Sequence, residues 1–249
     1  MNLIIYKNIP TTHNPPNNRR VMLSQSDNHN IIIPFYASWL YVISSYYDFS
    51  KNKNAYKIVD FSNKVDNIFV NVFIYLPLSL YITLTIQPIE YKFHSMYFEV
   101  FHMFLNIVFG EIWFYTLHII MHSKHFYKYH KMHHEMKETL GLFALYAHPF
   151  DAIVVNMGSI YVLHLLLQFS AFQVYLVGTY ATINTVVNSH SSIAHKQSHQ
   201  IHHLKFNVNY GLDLFMDKIF HTSDSSNFKC DRLNEPVVQE VHSTRFALS

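Results

Sequence analysis

Long apolar runs separated by polar segments organise the chain. Residues 31–47 are apolar and aromatic without charge. They are marginal for a membrane span, because a hydrocarbon core takes roughly 20 helical residues. Residues 48–66 are polar, with several lysines. Residues 68–86 form the clearest transmembrane candidate. Its Asn71 and Pro77 are tolerable in a membrane helix, and Gln87-Pro88-Ile89-Glu90 ends it. A second long apolar segment covers residues 96–121 and carries Glu99, His102, Glu111 and His118. Charged groups inside a span are costly, so they point to a protein interior or polar cavity and mark function.

Residues 123–138 read as a polar loop or amphipathic helix with Lys124, Lys128, Lys131 and Lys137. Two shorter apolar stretches follow, 152–168 and 172–187, with a break at 169–171. Each is short for a full span, so a hairpin entering and leaving the same side is expected. Residues 1–30 read as a polar arm, 31–95 as a membrane-spanning stem, 96–222 as the catalytic region and 223–249 as a polar tail. The apolar run at residues 3–6 is too short for a signal-peptide core. The fold expected is all-α: an integral membrane protein of about four transmembrane or re-entrant helices, with a His-rich cap. Lysines near the histidines favour a cytosolic cap.

Composition narrows the chemistry. Charged residues make up 14% of the 249, against about 25% in a typical soluble domain. Five glycines and no GxGxxG or GxxxxGK[ST] pattern argue against a nucleotide-binding loop. A net charge of +2, dispersed, argues against nucleic acid as a partner. One cysteine, Cys230, excludes an intrachain disulfide and a Cys-rich zinc module.

The outlier is 19 histidines, 13 of them between His118 and His203. They fall into three groups: His118 and His122 (HxxxH), His130, His133 and His134 (HxxHH), and His199, His202 and His203 (HxxHH). On a helix, positions i, i+3 and i+4 share a face, so each group is expected to aim its imidazoles in one direction. Imidazole suits Zn, Cu, Fe and Ni. Eight histidines exceed the ligands of one zinc site and suit two metals. The paired Glu-x-x-His motifs of the soluble diiron type are absent; the single one, Glu99 to His102, lies outside the three groups. Site charge is expected from bridging oxygen species or from nearby carboxylates such as Glu111, Glu135, Asp151, Asp213 and Asp217. A redox-active metal pair at a membrane interface suggests oxygen activation on an apolar substrate. A zinc-dependent lipid hydrolase, an aldehyde-forming lyase and a non-catalytic lipid-binding membrane protein are the alternatives. His94, His102 and His164 are expected to be hydrogen-bonded core or interface residues. His125 and His195 are expected at the surface, and His148 is open between ligand and support.

These residues resemble the fatty acid hydroxylase superfamily, the membrane diiron family that includes sterol C4-methyl oxidases and sterol C5 desaturases. Residues 114–122 are similar to its first His box, 130–135 to its second and 199–211 to its third. Tyr146-Ala147-His148-Pro149-Phe150-Asp151 resembles a segment of the methyl-oxidase branch, as does Asn188-Ser189-His190-Ser191. Residues 217–222 resemble the closing D-x-[IL]-F-G-T. Ser192 and His221 stand where that pattern has glycine, and Val186 stands where hydroxylase members have a histidine. The segment between His190 and His199 is also short. The substrate branch therefore stays open, with a weak lean towards sterol-like lipids. The resemblance implies two iron ions, O2 as co-substrate and electrons from NAD(P)H through a separate donor such as cytochrome b5. It implies His118, His122, His130, His133, His134, His199, His202 and His203 as catalytic metal ligands, with His190 as a further ligand. The expected location is the endoplasmic reticulum membrane, with the site facing the cytosol and a membrane lipid as substrate.

Overall fold

A computed structural model describes residues 18–90, 93–191 and 198–224. His195, Ser192 and Cys230, the first 17 residues and nearly all of the expected tail lie outside the described residues. The described chain is helical; its one β-feature is an isolated bridge between Glu90 and Ser170.

Helix α1 spans Asn18–Lys51 and so begins inside the stretch expected to be a polar arm. It also runs past Tyr47, and Asp48 becomes part of the helix with a fully buried side chain. Helix α2 spans Val65–Ile86 and α3 spans Met96–Met121, and both are long and apolar enough to cross a membrane. They match the two clearest candidates in the sequence. Helix α4, Asp151–Leu166, is shorter. Helix α5 spans Ala171–Ile183 and continues into a wide turn over Asn184–Ser189. Helix α6 spans Ser198–Lys205.

Local chemistry sets these boundaries. Ser95 caps α3 by accepting from the Phe98 N–H. Ser170 and Gln173 form a reciprocal capping box at the start of α5, satisfying two otherwise orphaned donors. Residues 167–170 form the turn of the hairpin, two residues longer on the N-terminal side than the break expected at 169–171, with Ala171 already in α5. There the Glu90 strap is held by backbone bonds to Phe169 and Ala171. Buried Glu99 accepts from the Ser170 hydroxyl at 2.9 Å and the His94 N–H at 2.9 Å, so it joins elements rather than lining a site. His164 bonds the Gln87 carbonyl at 2.6 Å, and His94 bonds Glu90 at 2.8 Å. His102 packs its ring 4.0 Å from that of Phe98, and its buried Nδ1 has no hydrogen-bond partner.

Three helices carry a π-helical turn: Asn71–Tyr75, Asp151–Met157 and Asn184–Ser189. Such turns are rare and gather at functional sites, because one extra residue per turn re-aims a side chain. The first lies just before Pro77, whose ring and missing N–H a regular helix interior tolerates poorly. It also turns Asn71 onto the loop at residues 139–147, where its amide donates to the carbonyls of Leu145 (2.7 Å) and Ala147 (2.8 Å). Tyr41 of α1 holds the same loop: its hydroxyl donates to the Leu142 carbonyl at 2.9 Å and accepts from the Leu145 N–H at 3.0 Å. The core is built around these contacts, with Leu80, Leu84, Leu140, Phe143 and Ala144 almost wholly enclosed.

Candidate metal centre

The hairpin α4–α5 begins and ends at the histidines. Asp151, at its start, lies against His130, and His190 follows its last turn. Nine histidines converge there, in two sets. His118, His122, His130, His134 and His202 form one, and His133, His190, His199 and His203 the other. Within each set the ligand atoms lie within 4.8 Å of one another. Eight of them are the histidines of the three spaced groups, and the ninth, His190, is the one that the family resemblance adds.

One expectation needs correction: the second and third boxes do not each aim one way. His130 ends a single helical turn, Tyr127–His130, and His133–Glu135 is a separate 3₁₀ turn. His130 and His134 therefore enter the five-His set, and His133 enters the four-His set. On α6, His199 and His203 are one turn apart and share a face. His202 is rotated away into the other set.

Hydrogen bonding fixes which nitrogen points inward. Nδ1 of His118 lies 2.7 Å from the Tyr210 carbonyl, and Nδ1 of His202 lies 2.7 Å from that of Val208. Nδ1 of His203 meets the Met136 carbonyl at 2.8 Å, and Nδ1 of His190 meets that of Thr185 at 2.9 Å. His133 makes a longer contact to the Tyr146 carbonyl at 3.3 Å, and His130 meets the Asp151 carboxylate at 2.7 Å. A carbonyl or carboxylate oxygen only accepts, so Nδ1 carries the proton and Nε2 presents a lone pair.

Those Nε2 atoms face one another. His118 and His130 are 3.0 Å apart, His130 and His134 3.0 Å, and His122 and His202 3.1 Å. In the second set His133 and His203 are 3.1 Å apart, and His199 and His203 also 3.1 Å. Opposed lone pairs at this range repel unless they share a cation. Metal–nitrogen bonds of about 2.1 Å put neighbouring ligand atoms about 3.0–3.4 Å apart. The buried Nε2 of His190 has no hydrogen-bond partner and belongs to the four-His set. The residues therefore fit a pair of metal ions.

Burial keeps His122, His133, His190, His199, His202 and His203 neutral, the form that ligates. It pushes His133, His199 and His203 well below the ordinary imidazole range, helped by neighbouring histidines. Burial, then the proximity of His202 and His130, lowers His122 to about 2. Burial lowers His202 to about 3 and His190 to about 4, the latter opposed by its bond to Thr185 and by the nearby Asp48 carboxylate.

This geometry coincides with a known domain: residues 103–222 match the fatty acid hydroxylase family model. Those residues belong to the fatty acid hydroxylase superfamily. The chain is 34% identical over 118 residues to human fatty acid hydroxylase domain-containing protein 2, covering 45% of this chain and 35% of that protein. It is 29% identical over 177 residues to methylsterol monooxygenase 1 of Rattus norvegicus, covering 62% and 59% respectively. C-4 methylsterol oxidase erg25 of Schizosaccharomyces pombe is 28% identical over 143 residues, covering 49% and 47%. The matches thus span between about a third and three fifths of these relatives' lengths. No solved structure matches.

Within the hydroxylase domain, carboxylates support the histidines from behind. Glu111 is fully buried and accepts from the backbone of Leu212 (2.7 Å), Met216 (3.1 Å) and Phe215 (3.2 Å). Asp217 accepts from the N–H groups of Tyr210 (2.8 Å) and Gly211 (2.7 Å) and from the Thr222 hydroxyl (2.7 Å). Together they clamp the loop that presents the Tyr210 carbonyl to His118. Gly211 is required by close approach, since a Cβ there would lie 2.8 Å from Glu111 Oε1 and 2.9 Å from Asp217 Oδ2. Phe206, Asn209, Asp213 and His221 in this loop take left-handed backbone angles, with φ of 67°, 55°, 65° and 55°. At His221 this explains why the family pattern carries glycine. Glu135 turns to the Tyr146 hydroxyl at 2.8 Å instead of to a histidine. His148 lies outside both sets; its Nδ1 accepts from the Phe150 N–H at 3.1 Å, closing a turn. His125 is exposed, as expected.

Tyr41, Asp48 and Asn71 support the hydroxylase domain from outside its matched range, and the sequence reading assigned them no such part. The one signal for Asp48 was its place at the end of an uncharged apolar run. A cavity of about 410 Å³ lies between α3, α4 and α5, with Met103, Phe114, Ile160, Val177 and Thr185 among its walls. The Phe114 ring packs 5.0 Å from that of His118, and the Thr185 carbonyl holds His190, so the cavity abuts both histidine sets.

Proposed function

We propose that this chain is a membrane-bound non-haem diiron oxidase that uses O2 to hydroxylate, demethylate or desaturate a sterol or fatty-acyl lipid. The observation that carries the reading is the division of nine inward-facing imidazoles into adjoining sets of five and four beside a largely apolar cavity. Five nitrogen donors exceed the usual fourfold shell of zinc and suit iron. The relatives named as methylsterol monooxygenase or oxidase favour a sterol substrate.

An iron pair, when bound, supplies the one-electron chemistry needed to attack an unactivated C–H bond. The chain does the rest. His118, His122, His130, His134 and His202 would hold one ion, and His133, His190, His199 and His203 the other. Backbone carbonyls fix the tautomer and ring plane of most of them. The cavity is of a size that takes a drug-sized molecule. Its apolar walls bind the lipid, exclude water and hold one carbon towards the histidines. In a hydroxylation one oxygen atom enters the product and the other leaves as water. The two electrons come from NAD(P)H through a separate donor such as cytochrome b5. About four transmembrane or re-entrant helices would set the site at the cytosolic face of the endoplasmic reticulum.

Lipid mass spectrometry of a host expressing the wild type or His133→Ala tests the reading. A lipid oxidised by the wild type and left unoxidised by the variant supports it. Identical lipid profiles, with the wild type present in the membrane, count against it.

A further inference from the structure

The two histidine sets differ in their charge environment. The five-His set has a carboxylate in direct contact, Asp151 on His130 at 2.7 Å. In the four-His set, the bonds from Nδ1 of His133, His190 and His203 all end on neutral backbone carbonyls. Two metal cations in one buried centre need compensating negative charge, and imidazoles supply none.

Asp48 lies beside the four-His set, outside the hydroxylase domain's matched range. Its side chain is 0% exposed. It accepts from the Asn52 amide at 2.6 Å, the Tyr56 hydroxyl at 2.6 Å and the Gly141 N–H at 2.8 Å. All three donors are neutral, and among the described residues no lysine, arginine or histidine pairs with it. The Asn52 amide also meets the Ser191 hydroxyl at 3.1 Å, and Ser191 follows His190 directly. The fit is tight: a Cβ at Gly141 would lie 2.9 Å from Asp48 Cβ and 2.9 Å from Val186. Oδ1 takes the Asn52 amide while Oδ2 takes both the Tyr56 hydroxyl and the Gly141 N–H, so the three donors use both oxygens of a carboxylate. The charge buried in this way is costly unless a cation lies near, and no side chain among the described residues provides one.

We propose that Asp48 is the counter-charge and positioning residue for a metal ion held by His133, His190, His199 and His203, acting through Asn52 and Ser191. This rests on the metal reading above. Asp48 then supplies negative charge to the four-His set from a distance, as Asp151 supplies it to the five-His set by direct contact with His130. The first helix completes the metal centre, although it carries none of its ligands.

The test is anaerobic iron(II) titration of the metal-free full chain in detergent, in wild type, Asp48→Asn, Asp151→Asn and Ser191→Ala. Each is repeated in a His133→Ala background. Asp48→Asn is expected to bind one ion as tightly as wild type and the second at least about ten-fold more weakly, the scale of outer-shell substitutions at metal sites. In the His133→Ala background Asp48→Asn should have no further effect, whereas Asp151→Asn should still weaken the remaining ion. Ser191→Ala keeps the charge and cuts the link. It should weaken the same ion as Asp48→Asn, and it serves if Asp48→Asn fails to fold. Two ions bound with wild-type affinity in Asp48→Asn overturn the proposal. So does an equal loss with and without His133, or no effect of Ser191→Ala. A wild type that binds fewer than two ions overturns the metal reading itself.

Discussion

The Tyr210 carbonyl accepts the Nδ1 proton of His118 at 2.7 Å, across 92 residues of sequence. The Tyr210 N–H is in turn held by Asp217, and the following loop by Glu111. Orientation of a candidate ligand thus passes through backbone held by two buried acids. Asp217→Ala removes three hydrogen bonds to a charged acceptor, each worth about 1.5–3 kcal/mol. It is expected to cost at least 3 kcal/mol and to release an ion from the five-His set first. Thermal melts with metal analysis of the purified variant check this. Unchanged stability and metal content contradict it.

His221 carries a side chain at φ 55°. A non-glycine residue in that region costs roughly 1–2 kcal/mol, partly offset by the greater unfolded-state entropy of glycine. His221→Gly is therefore expected to stabilise the chain by up to about 1 kcal/mol. A melting temperature at or below wild type would show that the His221 side chain makes compensating contacts.

Ala181 lines the cavity on α5. Ala181→Phe should fill part of it, weaken lipid binding and lower turnover by an order of magnitude or more, while leaving the metal content at the wild-type value. Separate assays of metal and product formation distinguish this from misfolding. Full activity in the variant would mean that the substrate binds elsewhere.

The neutral histidines also set a pH dependence. Their folded-state pKa values lie below the unfolded value near 6.5, so below that pH the unfolded chain binds more protons. The metal-free protein should keep its stability above about pH 6.5 and lose it progressively as the pH falls towards 4. Thermal melts of the metal-free chain from pH 7.5 to 4.5 check the sign, and a flat profile contradicts it.

The candidate ligands were legible because metal binding repeats one residue type at short intervals. His118, His122, His130, His133, His134, His199, His202 and His203 stand out for that reason alone. Two long apolar helices and the returning hairpin were legible from hydropathy. The division of the histidines was not, since HxxHH implies one face only if the segment is one helix. Between His130 and His133 the helix breaks, which spacing cannot reveal. Asp48 and Asn71 were missed as supports because the loop residues they hold, Gly141 and Leu145, lie 93 and 74 residues away. At the end of an apolar run, a buried acid looks the same in sequence as the polar boundary of a helix.

Nine histidines are proposed to hold a pair of iron ions. Metal analysis with Mössbauer spectroscopy on the purified chain, coupled to turnover with and without O2, tests it most directly. Two iron ions per chain, an iron pair in the spectrum and product only when O2 is present are expected. Stoichiometric zinc with full activity in the absence of O2 would contradict it.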